Sequence, residues 1–209
     1  MYLFTRRRRI DLGHWTKAIE WSVTATGQVR DITGRGIDAW MAVMSPEVGT
    51  VVWSMWAETL AELEAAGDSL AADAGFVKSD EKADDWFDGP MEDQIASMIH
   101  GDVDPDGPVA NYVSVVEAQA ANGRLTNAIT SGIAIAEFAT RVGGQNTGFL
   151  VNTTGPYGGV AWITGSPDIA TVDTSGAALM ADPAWLDLVN SVGTDYAPGA
   201  KTTLYRRLV

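Results

Sequence analysis

The chain has 209 residues, enough for one large domain or two small ones, and its 46% apolar and 20% charged residues suit a globular protein that buries a core. A formal charge of -13 argues against a nucleic-acid role, because phosphate binding needs a basic face. No cysteine is present, which removes disulfides and thiolate chemistry and makes a cytoplasmic setting the expectation.

Tyr2 to Ile10 reads as a strand that Gly13 breaks, and Trp15 to Val29 has helical spacing through Trp15, Ile19 and Val23. Gly34 and Gly36 close that helix. Ile37 to Met44 and Thr50 to Met55 read as two strands joined by the turn Ser45-Pro46-Glu47-Val48-Gly49. Glu58 to Ala66 and Ser69 to Phe87 carry helical pattern, and Asp93 to His100 is a fourth strand. A polar linker follows at 102–110. Asn111 to Ala120, Leu125 to Arg141, Thr147 to Thr153, Val160 to Thr164, Ser175 to Val192 and Thr202 to Leu208 then repeat the same order of strand and helix. Met1 to Thr5 followed by Arg6-Arg7-Arg8-Arg9 has the wrong order for a secretory signal. No apolar run is long enough to suggest a membrane span.

The repetition extends to individual residues. A shift of 110 positions carries Tyr2 onto Tyr112, Gly13 onto Gly123, Ala18 and Ile19 onto Ala128 and Ile129, and Gly34 onto Gly144. A shift of 109 then carries Leu70-Ala71-Ala72-Asp73-Ala74-Gly75-Phe76 onto Leu179-Met180-Ala181-Asp182-Pro183-Ala184-Trp185. The matches fall on turn glycines and apolar core candidates, where physics narrows the choice of residue. The reading is two βαββαβ repeats of ferredoxin-like form, 1–101 and 111–209, joined by the 102–110 linker. Helices on one face of each antiparallel sheet leave the other face bare, and an apolar bare face is costly in water. Packing the two bare faces together within one molecule is the economical solution.

The strand running into a glycine-started helix (Ile10-Asp11-Leu12-Gly13 and Ala120-Ala121-Asn122-Gly123), with the Ala181-Asp182-Pro183-Ala184-Trp185 segment, resembles the dimeric α+β barrel superfamily. That superfamily includes the antibiotic-biosynthesis monooxygenase, EthD-like and NIPSNAP-like groups. The resemblance implies an α+β fold in tandem form, one chain supplying both halves of what is usually a homodimer. It also implies a range of activities, from cofactor-free oxygenases and isomerases to haem-degrading enzymes, so fold alone does not select a reaction.

Strand alternation assigns the faces. Ala118 and Ala120 should meet the helices, while Val113, Val115, Glu117 and Gln119 take the opposite face, as do Leu3, Thr5, Arg7 and Arg9 in the first repeat. Arg6 and Arg8 are then directed at the helix layer, which is an awkward place for two cations. On the opposite face Arg7 and Arg9 could hold an anionic group, with Trp40 or Trp162 as apolar wall and Asn152 in the same pocket. The competing reading pairs Arg7 with Glu117 as mutual neutralisers. His100, near a strand end, is the candidate general base or metal ligand, and His14 at a helix start is the weaker one.

Several motif matches fail. Asp102-x-Asp104-x-Asp106-Gly107 copies half of a calcium loop, but Val113 stands where a bidentate Glu is required. Gly34-Arg35-Gly36 lacks the third glycine of a dinucleotide fingerprint. Three functions remain. One is a small-molecule protein working between the sheets as a cofactor-free oxygenase or isomerase, on an organic and anionic substrate. Another is a protein-protein interaction or assembly module. The last is a metal-dependent enzyme around His100. No resident cofactor, nucleic acid or membrane partner is expected, and the chain is expected as a monomeric pseudo-dimer or a higher homo-oligomer.

Overall fold

Alternate residues of the arginine-rich strand β1 (Tyr2–Ile10) turn toward a helix layer, and this sets the first half of the structure. The computed structural model describes residues 1–102 and 109–209. It divides into two compact units, Met1–Ile95 with Arg206–Val209 and Ala96–Tyr205. The expected linker at 102–110, with its calcium-like Asp102, Asp104 and Asp106, falls mostly outside the described residues.

In the first unit β1 pairs antiparallel with β3 (Thr50–Ala57), and β3 pairs antiparallel with β2 (Ile37–Val43). The registers align Phe4, Met55 and Ile37 in one row, Arg6, Trp53 and Ala39 in the next, and Arg8, Val51 and Met41 in a third. Helix α1 (Trp15–Thr33) covers these rows with Ala18, Ser22, Ala25, Thr26 and Val29. Small residues on that face allow the helix to lie close to the sheet. Their hydroxyls are satisfied inside the helix, Ser22 donating to Ala18 O at 2.7 Å and Thr26 to Ser22 O at 2.7 Å. Gly34, at φ 67°, ends α1 by donating its N–H to Arg30 O.

The second unit repeats the plan. β5 (Tyr112–Gln119) pairs with β7 (Gly159–Ser166), and β7 with β6 (Thr147–Asn152), all antiparallel. Helix α4 (Leu125–Gly143) buries Ala128, Ser131, Gly132, Ala136 and Ala139, and Gly144 at φ 73° ends it. Strand β4 (Phe87–His100) pairs with β6 through Ala96 to His100. The last strand is β8 (Lys201–Arg207). The hydrogen-bonded strand order is β1-β3-β2-β8-β5-β7-β6-β4, a closed barrel, so the expected α+β architecture is met.

The helical segments after β3 and β7 differ from the expected boundaries. The first is α2 (Leu60–Ala72) followed by α3 (Ala74–Ala83), broken at Asp73 instead of before Ser69. The second is α5 (Ile169–Ala181) followed by α6 (Pro183–Ser191), broken at Asp182. Asp73 accepts from Phe76 N at 2.7 Å and Asp182 from Ala184 N at 2.9 Å, each side chain starting the next helix. The repeated seven-residue segment is therefore a helix-to-helix corner. Thr59 and Asp168 cap α2 and α5 in the same way, and the Asp168 cap starts α5 six residues before the expected Ser175. Strand β4 begins at Phe87, where helix was expected to continue. The apolar Trp86 and Phe87 extend the helical periodicity in sequence, yet a single 3-10 turn at Asp84–Trp86 ends it. Gly89, at φ 72°, and Pro90 then shape the strand's start.

Candidate functional site

The helix-facing side of the first unit's sheet is incompletely filled. A cavity of about 800 Å³ lies between it and helices α1, α2 and α3, and all of its lining residues belong to this unit. Its walls are Phe4, Trp53, Met55 and Ile37 from the sheet, Trp21 and Val29 from α1, and Leu63, Leu70 and Phe76 from α2 and α3. Trp21 stands edge-on to Trp53 at 5.8 Å and to Phe87 at 5.6 Å between ring centroids, so three aromatic rings brace one end. The Trp21 indole donates to Ser79 Oγ at 3.0 Å, which ties α1 to α3 across the cavity's flank.

Two cations line the same space. Arg6 makes a two-pronged pair with Asp93, Nε to Oδ1 and Nη2 to Oδ2, both at 2.8 Å. That hydrogen bonding, against a cost from burial, raises the Arg6 pKa above its ordinary value. Arg8 is 3% exposed, donates from Nη2 to Asp84 Oδ1 at 2.5 Å, and lies over the Phe87 ring at 4.4 Å. Its Nε is buried without an acceptor among the described residues. The acidic members of the lining, Glu64, Asp80, Glu81 and Asp93, are all more exposed than Arg8. Arg8 is thus the buried charge of the cavity, while the Arg6–Asp93 pair and the other carboxylates lie toward water.

Beneath α4 in the second unit the equivalent row is occupied by an aromatic side chain from the sheet. Under the sequence repeat, the row Arg6, Trp53, Ala39 becomes Val116, Trp162, Phe149, with the same registers. Phe149 is fully buried and packs on Trp162 at 5.3 Å with the rings tilted by 40°, and Tyr196 closes the group at 5.4 Å. The Tyr196 hydroxyl donates to Ala128 O at 2.7 Å. Burial holds the Tyr196 pKa above its ordinary value, although its bond to Ser131 works the other way.

The residues singled out in sequence are placed as follows. Arg7 and Trp40 flank Val52 in one row on the sheet face away from the helices. The Trp40 indole donates to Ser54 Oγ at 2.8 Å on that face. Arg9 is exposed at the end of β1. Glu117 and Asn152 share the corresponding face of the second unit's sheet, where Glu117 meets Lys201 Nζ at 3.4 Å. Trp162 departs from expectation: it faces α4 and donates to Gly132 O at 2.8 Å, because Val116 and Phe149 flank it on the helix side. His100 ends β4 opposite Phe149, beside a register shift between Met98 and His100. Among the described residues no group of three or more His, Cys, Asp or Glu side chains is arranged to hold a metal ion. His14 pairs with Asp11 at 2.8 Å at the exposed start of α1.

The cavity therefore uses Arg6 and Arg8, the pair that alternation turned toward the helices. Its other principal members, Trp21, Trp53 and Asp93, were not legible as a site. They lie on separate elements and come together only through strand register and helix docking.

No family model matches the chain, and no curated protein matches it in sequence. Solved structures do match in shape. A candidate monooxygenase from Fusobacterium nucleatum superposes with a TM-score of 0.72 at 9% identity, over 100% of this chain and 92% of its own. An anthrone oxidase-like protein gives 0.69 at 13% identity, over 99% and 90%. A major regulator of staphylococcal pathogenesis gives 0.60 at 8% identity, over 99% and 98%. Among the described residues no helix is long and apolar enough to cross a membrane. The chain shares the α+β barrel fold of these solved structures, with both βαββαβ units in one polypeptide.

Proposed function

We propose that the protein binds a small, mainly apolar organic molecule in the cavity of its first unit. The observation that carries this is the cavity itself: about 800 Å³ walled by Trp21, Trp53, Phe4, Met55 and Phe76, with Arg6, Arg8 and four carboxylates as its charged members. Ligand sites commonly have this size and make-up. An unfilled apolar space also forfeits the dispersion contacts that Phe149 supplies in the second unit, so an occupant is the natural compensation.

The finer reading is that the bound molecule undergoes oxygenation or isomerisation without a resident cofactor. It draws support from similarity in shape to a candidate monooxygenase and an anthrone oxidase-like protein. The apolar walls would keep water from a reactive carbanion, and the lining carboxylates Asp80 and Glu81 would serve as proton acceptors.

Native mass spectrometry of freshly purified protein tests occupancy, and a retained organic mass is expected. Oxygen uptake on adding anthrone, with anthraquinone and water as products, tests the chemistry. A protein that carries no ligand and gains no thermal stability from any aromatic compound would defeat the binding reading. Binding without oxygen uptake or double-bond migration would defeat only the reaction.

A further inference from the structure

The guanidinium of Arg8 has more donors than the protein satisfies. A guanidinium offers a fork of N–H groups and no acceptor. Among the described residues Asp84 takes Nη2 and Phe87 supplies a ring face, while Nε is buried with no acceptor. A cation that is 3% exposed pays a desolvation penalty unless charge and hydrogen bonds return it. Asp84 returns little, because its own side chain is 75% exposed and water competes for it. Arg6 differs, since Asp93 satisfies two of its nitrogens at once. In the second unit, where Phe149 occupies the equivalent row, the position of Arg8 is taken by Ala118. A buried cation therefore accompanies the open cavity and has no counterpart at that position in the second unit.

We infer that the cavity takes a monoanionic aromatic compound, a carboxylic or phenolic acid, whose charged oxygen accepts from the Arg8 guanidinium. This rests on the binding reading above and names the ligand's charge. Trp21 and Trp53 line the cavity beside the cation and offer it aromatic surface, with Phe87 packed edge-on behind them. The rim sets the limit on charge. Glu64, Asp80, Glu81 and Asp93 line the same cavity, and a second negative group reaching them would meet repulsion with no cation to offset it, Arg6 being already paired. Dianions and phosphorylated compounds are thereby rejected.

Isothermal titration of three naphthalene probes at neutral pH tests this: 2-naphthoate, the neutral 2-naphthamide and naphthalene-2,6-dicarboxylate. The expected result is 2-naphthoate binding at least tenfold tighter than either of the others. In Arg8→Gln that preference over the amide should disappear, and in Arg8→Lys it should shrink, because an ammonium keeps charge but loses the planar fork. Asp84→Asn removes the competing carboxylate and should tighten 2-naphthoate severalfold without changing the amide. This variant keeps the test decisive where circular dichroism shows that Arg8→Gln does not fold. Equal affinity for the acid and the amide, or a preference that survives in Arg8→Gln, would overturn the anion assignment and leave the cavity reading intact. Failure of all three probes to bind would overturn both.

Discussion

Trp21 and Phe149 complete the same aromatic trio from opposite layers. In the first unit Trp21 descends from helix α1 onto Trp53 and Phe87, at 5.8 and 5.6 Å. In the second unit the helix offers Ser131 at the position of Trp21, and the sheet supplies Phe149 at the position of Ala39. Phe149 then packs on Trp162, the counterpart of Trp53, at 5.3 Å with the rings tilted. One ring has moved from helix to sheet between the two units, and the first unit has its cavity beside the trio.

That exchange makes Gly132 a position of close approach. A Cβ built there falls 2.3 Å from Phe149 Cζ, in a ring that has no room to retreat. Gly132→Ala is expected to destabilise the protein by about 1–3 kcal/mol, the usual cost of overpacking. Chemical denaturation measures it, and adding Phe149→Leu should restore part of the loss.

The corner between paired helices should be sensitive in both units. Asp73→Ala and Asp182→Ala each remove a cap whose carboxylate accepts a backbone N–H at 2.7 and 2.9 Å. Each should cost about 1 kcal/mol, while Asp→Asn at either site should cost much less, since Asn caps nearly as well. Denaturant midpoints of the four variants would show it.

Filling the cavity should separate binding from folding. Ala66 on α2 is 5% exposed and lines the cavity. Ala66→Phe is expected to leave the melting temperature unchanged or higher, because the ring enters existing space, yet to abolish the thermal shift given by aromatic ligands. A loss of stability with binding retained would show that the space is not where ligands go.

Acid should weaken the fold through the helix starts. Asp11 is held below its ordinary pKa by the Gly13 N–H and then by His14. The Glu58 N–H and then Arg35 lower Glu62, and the Thr171 N–H lowers Asp168. A carboxyl depressed in the folded state contributes stability that is fully present above its unfolded pKa, about 4, and is lost as pH falls through the lower folded value. Thermal melts should therefore hold steady from pH 7 to about 5 and drop below about 4, with a shallower drop in Asp168→Asn. Tyr196 works with the opposite sign: its raised pKa gives stability that is lost as pH climbs past about 10.

Alternation and internal repetition determined much of this protein. The residue-by-residue echo of 1–101 in 111–209 pointed to two βαββαβ units, and the period of two along Arg6-Arg7-Arg8-Arg9 put Arg6 and Arg8 against the helices. Both are local properties of the backbone, so they can be read without neighbours. Helix ends were legible only where glycine marked them, as at Gly34 and Gly144. The Asp73 and Asp182 corners were not, because a capping carboxylate looks like any other surface charge in sequence.

What the tertiary structure alone decided is the cavity in the first repeat. The row containing Trp53 and the row containing Trp162 have the same register, and each indole reaches a carbonyl of its covering helix, Ser22 O at 3.5 Å and Gly132 O at 2.8 Å. The difference is a volume summed over residues far apart in the chain, Ala39 against Phe149, Trp21 against Ser131, Arg8 against Ala118. No pattern along the sequence adds those volumes, since only docking a helix at a given height on a sheet makes them share one space.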